Sequence, residues 1–146
     1  MKVIVNNEGE TYRLGKYIGE RLPKGAVLSL NGDLGAGKTH MTKGIAEGMG
    51  IKVYITSPSF TILNTYNGEV PLYHFDVYRI EDIREMYEIG FDEYLYGDGV
   101  CVIEWGNMVT ELLPEDAIKL FIVKLEDDVR EIDILNLPFQ LGEEWR

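Results

Sequence analysis

Residues Gly32-Asp33-Leu34-Gly35-Ala36-Gly37-Lys38-Thr39 fill every fixed position of the pattern G-x-x-x-x-G-K-[ST]. A short apolar run, 26–30, leads into them, and Met41, Ile45 and Met49 then recur on one stripe of an expected helix over 38–50. A buried strand, a glycine turn and a helix in that order leave the chain few folds. The glycines reach backbone conformations closed to other residues, so main-chain N–H groups can curl around an anion. The helix that follows points its N-terminus at the same anion. Lys38 then sets a positive charge on the β- and γ-phosphates, and the Thr39 hydroxyl is suited to magnesium. A chance glycine turn would not need both flanking elements. The motif itself leaves the base and the reaction open.

The rest of the chain reads as alternating strands and helices. Lys2–Val5 is a first strand. Asn7 and Glu10 resemble a capping box, and Leu14, Tyr17, Ile18 and Leu22 continue at helical spacing to an expected stop at Pro23. Residues 60–66 and 70–78 are β-prone and flank Asn67-Gly68, a hairpin signal. A short helix is expected over 81–89, ended by Gly90, with a further turn over 92–95. Residues 100–105, 118–125 and 130–137 complete the strands, the last two joined by Glu126-Asp127-Asp128. The pattern predicts a three-layer α/β domain of the P-loop NTPase kind over 1–137, with a mixed parallel and antiparallel sheet. Residues 138–146 show no period and read as a C-terminal tail.

A phosphate loop works with an acidic residue at the end of a neighbouring buried strand. Val100-Cys101-Val102-Ile103-Glu104 has that form, which makes Glu104 the candidate metal carboxylate; the alternative is a surface glutamate closing a strand. Asp76 is the second candidate. Residues two apart in a strand share a face, so His74, Asp76 and Tyr78 are expected together as a polar cluster. Asp76 would orient an attacking water or hold a metal-bound one, or else sit on a solvated face. His74 reads as a satisfied structural histidine, and Trp105 as core packing.

Composition excludes other classes. With 14 basic against 25 acidic residues among 146, the net charge is −11, which does not suit a protein that neutralises nucleic-acid phosphates over its whole surface. Any nucleic acid in its pathway is expected to be held by a partner. The single cysteine, Cys101, lies in an apolar run and reads as a small buried hydrophobe. No apolar run reaches signal-peptide or membrane-span length, so a cytoplasmic protein without membrane contact is expected.

Among small P-loop proteins, guanine-specific GTPases carry an Asn-Lys-x-Asp element, which is missing here, and small-molecule kinases carry an arginine-rich lid, whereas these arginines are scattered. Four ordered pieces resemble one family, the bacterial TsaE (YjeE) ATPases of tRNA threonylcarbamoyladenosine synthesis. They are the phosphate loop, Thr56-Ser57-Pro58-Ser59-Phe60-Thr61, His74-Phe75-Asp76-Val77-Tyr78-Arg79, and Ile103-Glu104-Trp105. The resemblance covers about residues 3–137; Ser59 stands where the family pattern has Thr.

The resemblance implies an ATP hydrolase that serves TsaB-like and TsaD-like partners, which carry out the threonylcarbamoyl transfer to the adenosine next to the anticodon. It would touch tRNA only through them and reset their complex between cycles. It assigns Gly32, Asp33, Leu34, Gly35, Ala36, Gly37, Lys38 and Thr39 to the phosphates, Thr39 and Glu104 to magnesium, and Lys38, Asp76 and Glu104 to catalysis. Residues 56–61 and 74–79 look like switch segments that sense the γ-phosphate. Thr11 and Arg130 are implied contacts around the base or ribose; Thr11 could equally be a helix-start residue, and Arg130 a salt-bridged one. Slow intrinsic turnover is expected, since little besides Asp76 is placed to activate water. Two rival readings are an ATP-occupancy module that regulates without hydrolysis and a small-molecule kinase.

Overall fold

A computed structural model describes residues 1–58 and 61–145. Seven strands form one sheet: β1 (Lys2–Val5), β2 (Val27–Gly32), β3 (Leu63–Tyr66), β4 (Leu72–Asp76), β5 (Val100–Glu104), β6 (Ile118–Lys124) and β7 (Arg130–Leu135). Their order across the sheet is β1-β7-β6-β2-β5-β4-β3. The neighbours β6, β2, β5 and β4 run parallel, while β7 and β3 pair antiparallel with theirs. The sheet is therefore mixed, as the sequence pattern requires.

Helices α1 (Glu8–Gly19) and α2 (Lys38–Gly48) cover one face. Leu14 and Ile18 of α1 and Met41 and Ile45 of α2 share a core with Val3, Leu28, Val102, Leu120 and Ile132. The opposite face is covered by α3 (Arg84–Glu88), α4 (Phe91–Leu95) and a 3-10 helix, Gly106–Leu112. There Phe75, Cys101 and Ile103 pack with Met86, Phe91, Leu95 and Val109. Strands β2 and β5 are buried on both faces; Val100–Ile103 of β5 is an unbroken apolar run, whereas β2 buries Ser29 and Asn31, whose side chains bond each other. The second covering layer does not extend over β1, β7 and β6, where Ile4, Phe121, Val123 and Leu135 are exposed.

Several elements are shorter than the sequence reading, the 81–89 helix being Arg84–Glu88 and the 70–78 strand Leu72–Asp76, and three local outcomes bear on the site. Helix α1 stops at Gly19, short of Pro23, because Glu20 and Arg21 close the last turn on Lys16 and Ile18. The capping pair is present at Asn7, whose side chain accepts from the Glu10 N–H at 2.9 Å, but the Glu10 carboxylate reaches the Asn6 N–H and not that of Asn7. Strand β5 ends at Glu104; Trp105 takes a left-handed φ of 64° and opens the 3-10 helix. At the C-terminal side, Leu141 is buried in the α1/α2 core and the Gly142 N–H donates to the Tyr17 hydroxyl. A second 3-10 helix, Glu143–Trp145, sets the Trp145 ring edge-on to Tyr17.

The α1/α2 contact is close because both helices are bare where they meet. Gly15 and Gly19 face the Met41 and Ile45 carbonyls, while Gly44 and Gly48 face those of Tyr12 and Lys16. This contact locks the first helix against the helix that carries Lys38 and Thr39.

Candidate functional site

The loop between β2 and α2 turns through Gly35 at φ 78° and Gly37 at φ 113°, backbone conformations that side chains strain. Its carbonyls are tied down by cations. The Lys38 ammonium donates to the carbonyls of Gly32 at 2.5 Å and Asp33 at 3.0 Å. Lys124 donates to Leu34 O at 3.0 Å, and Arg130 Nε to Ala36 O at 3.2 Å. The Met41 N–H of α2 takes Gly37 O. With its carbonyls bound this way, the loop and the N-terminus of α2 leave amide dipoles to face an anion.

Lys38 is nearly buried, and its ammonium sits 4.1 Å from the centroid of the Trp105 ring. Burial lowers its pKa from the ordinary lysine value; Glu104, Asp76 and Asp33 oppose that shift and Lys124 adds to it. Trp105 also lies against Tyr78, ring centroids 4.6 Å apart. Trp105 is partly buried and packs against the Phe75 and Ile103 core, as expected, and its left-handed turn at the end of β5 also lays the ring over the loop lysine.

Parallel pairing sets Asp76 of β4 opposite Glu104 of β5, at the strand ends next to the loop. Glu104 is almost wholly buried. Thr39, the second residue of α2, donates from Oγ1 to Glu104 Oε1 at 3.2 Å. Glu104 is therefore no surface strand end. Gly35, Gly37, Lys38, Thr39 and Glu104 line one cavity of about 240 Å3, with Glu8 and His40 at its rim. A larger cavity of about 390 Å3, bordered by Pro23, Pro114 and Pro138, shares no residue with it.

The expected polar cluster of His74, Asp76 and Tyr78 does not form as one group. His74 is fully buried and bonds Glu104 through Nε2 at 2.5 Å. Asp76 is half-buried; one carboxylate oxygen accepts from the Tyr78 N–H at 3.0 Å and the other from Ser57 Oγ at 3.2 Å. Tyr78 is exposed, because β4 ends two residues before it. The bond from Ser57 attaches the 56–58 stretch to the site; Ser59 and Phe60 of that proposed switch segment lie outside the described residues.

Thr11 and Arg130 both adjoin the loop. The buried Thr11 points its hydroxyl at Asn7 O, 3.5 Å away, and its methyl lies 3.6 Å from where a Cβ on Gly37 would stand. Arg130 also donates to the Val129 carbonyl at 3.2 Å; through its bond to Ala36 O it braces the loop, and it pairs with no acid among the described residues. Lys124 was missed in the sequence, and His74, read there as a satisfied structural histidine, bonds Glu104 and leaves Nδ1 without a partner among the described residues. Lys124 closes β6, and only the sheet order shows that this end abuts the loop. His74 lies two residues from Asp76, but its bond to Glu104 crosses between strands 30 positions apart.

Strand, phosphate loop and helix within a mixed sheet define a P-loop α/β protein. The sequence matches the family "Threonylcarbamoyl adenosine biosynthesis protein TsaE" over residues 5–132. It is 49% identical over 127 residues to the tRNA threonylcarbamoyladenosine biosynthesis protein TsaE of Bacillus subtilis, covering 86% of this chain and 79% of that one. The Treponema pallidum protein of the same name is 44% identical over 134 residues, covering 92% and 99%. A crystal structure of Bacillus subtilis YdiB superposes with a TM-score of 0.81 at 40% identity, over 99% of this chain and 88% of that one. The chain belongs to the TsaE family.

Proposed function

We propose that the protein binds ATP with magnesium at the 32–39 loop and hydrolyses it, as the ATPase subunit of a tRNA threonylcarbamoylation system with TsaB-like and TsaD-like partners. The observation that carries this reading is the contact of Thr39 Oγ1 with Glu104 Oε1 at 3.2 Å beside the loop. A hydroxyl and a carboxylate oxygen side by side suit a hard cation that keeps waters and phosphate oxygens in its remaining positions. Magnesium, when bound, neutralises phosphate charge.

The chain's own groups divide the remaining work. The loop amides and α2 hold the phosphates. Lys38, whose ammonium bonds the Gly32 and Asp33 carbonyls, would set its charge against phosphates held in the same loop. Asp76 keeps acceptor capacity beyond its two bonds and would align a water. Thr11 and Arg130 border, with Glu8, His40 and Asp128, a hollow of only about 10 Å3 beside the loop, too small for a ribose or base, so their proposed place is at the edge of the nucleotide and not in a base pocket. The acidic balance of the chain leaves tRNA to the partners.

The occupancy-only reading has one observation in its favour: both Asp76 oxygens already hold neighbouring groups, so Asp76 could transmit nucleotide state through Ser57 without activating water. Phosphate release, measured with and without the two partners beside multiple-turnover tRNA modification, separates the readings. Hydrolysis that rises with partners and is needed for repeated cycles supports the ATPase. Full modification without hydrolysis supports the occupancy module.

A further inference from the structure

We propose that His74 is a positioning residue that holds the Glu104 carboxylate in place for the cation, an inference that rests on the reading of Thr39 and Glu104 as the magnesium pair. His74 is fully buried in β4, and its Nε2 is 2.5 Å from Glu104 Oε2. Its other ring nitrogen, Nδ1, is buried with no hydrogen-bond partner among the described residues.

A histidine kept for the fold alone is expected to satisfy both nitrogens, because an unpaired buried polar atom costs roughly 1–3 kcal/mol. Here the satisfied nitrogen is the one that faces the site. With Nε2–H donating to the carboxylate, Nδ1 carries the lone pair, the less costly group to leave unpaired. Glu104 is long and, without partners, could rotate its carboxylate. His74 fixes Oε2 from the sheet, while Thr39 Oγ1 approaches Oε1 at 3.2 Å and Oε2 at 3.4 Å from the helix. With Oε2 held by His74, Oε1 is the carboxylate oxygen left for an ion beside the Thr39 hydroxyl. Partners of this kind around ligating carboxylates typically change metal affinity by about 10–100-fold.

The test compares wild type with His74→Gln, His74→Asn and His74→Leu. Gln places an amide N–H at the same bond count from Cβ as His Nε2, whereas Asn matches Nδ1 and Leu donates nothing. ADP affinity is measured by calorimetry in EDTA and across a magnesium titration, with thermal unfolding as the check on folding. In EDTA all four proteins are expected to bind alike. The Asn and Leu variants should need about 10–100-fold more magnesium to tighten ADP binding, and Gln should recover most of the loss. Wild-type magnesium dependence in Asn and Leu, or Gln no better than Asn, overturns the role of His74 while leaving the metal pair standing. If Leu does not fold, the contrast between Gln and Asn decides. A wild type whose ADP affinity ignores magnesium removes the metal pair itself, and this inference with it.

Discussion

The Asp76 carboxylate accepts from Ser57 Oγ at 3.2 Å, so the last residue of β4 holds the 56–58 stretch beside the phosphate loop. It is not one of the loop residues. If it aligns water, its loss should appear mainly in the transition state. Asp76→Asn is expected to keep ATP affinity within a fewfold of wild type, or to tighten it by removing a like charge. Turnover should fall on the order of 10²-fold, the lower range for a lost general base. Calorimetry beside phosphate release reads both. Wild-type turnover in this variant would remove Asp76 from catalysis.

The Thr39–Glu104 contact predicts a shared phenotype. Thr39→Ala and Glu104→Ala should each cut magnesium-dependent hydrolysis by about 100-fold or more, since the charge stabilisation that the metal supplies is lost, while circular dichroism stays unchanged. Thr39→Ser, which keeps the hydroxyl, should recover most of the rate. A Glu104→Ala protein at full rate would shift the metal role to Asp76.

The order of strand, loop and helix was readable because each signal is local: a fixed motif, an apolar run and a helical stripe. Glu104 was readable for the same reason. What was not readable depends on which strands become neighbours. Lys124 and Arg130 reach the loop only because β6 and β7 lie on that side of β2, and His74 meets Glu104 only because β4 pairs with β5. Trp105 read as core, which it partly is, but its contact with Lys38 went unread because periodicity does not reveal a left-handed residue at a strand end.

The lack of an Asn-Lys-x-Asp element motivates a prediction about nucleotide preference. ATP should displace a fluorescent ADP analogue at least tenfold better than GTP in a competition titration. Equal displacement would return the chain to the guanine-nucleotide class.

Cys101 gives a pH signature. Burial pushes its thiol up to about 12 from an ordinary 9.0, and Sγ donates to the Tyr94 carbonyl. The folded pKa is raised, so this contribution to stability is complete below 9.0 and is lost as pH climbs toward 12. A thiol reagent such as Ellman's should fail to label the native protein at pH 8 and label it fully in guanidinium. Stability measured by urea titration should decline above pH 9, and less steeply in Cys101→Ala. Rapid native labelling at pH 8 would contradict the buried thiol.

The helix pair offers a test in which two effects oppose each other. Replacing a glycine inside a helix by alanine ordinarily gains about 1 kcal/mol of helix propensity. At Gly44 the new Cβ would stand 2.1 Å from the Tyr12 carbonyl oxygen, and at Gly19 it would stand 2.2 Å from that of Ile45. Both obstacles are backbone, which cannot swing aside, so the helices must separate; overpacking of this sort costs about 1–3 kcal/mol or more. Sterics should win, and Gly44→Ala and Gly19→Ala should each destabilise the protein in urea titrations. Separation also moves the α1 and α2 residues around the loop, Thr11 against Lys38 and Thr39, so ATP affinity should fall with stability. Gly50→Ala is the control. Its φ of 83° strains an alanine by roughly 1–2 kcal/mol, yet nothing lies within 4 Å of the added Cβ. It should lose stability and keep ATP affinity. A Gly44→Ala protein more stable than wild type would show that the helices part at little cost, and that their close contact does not hold the phosphate loop.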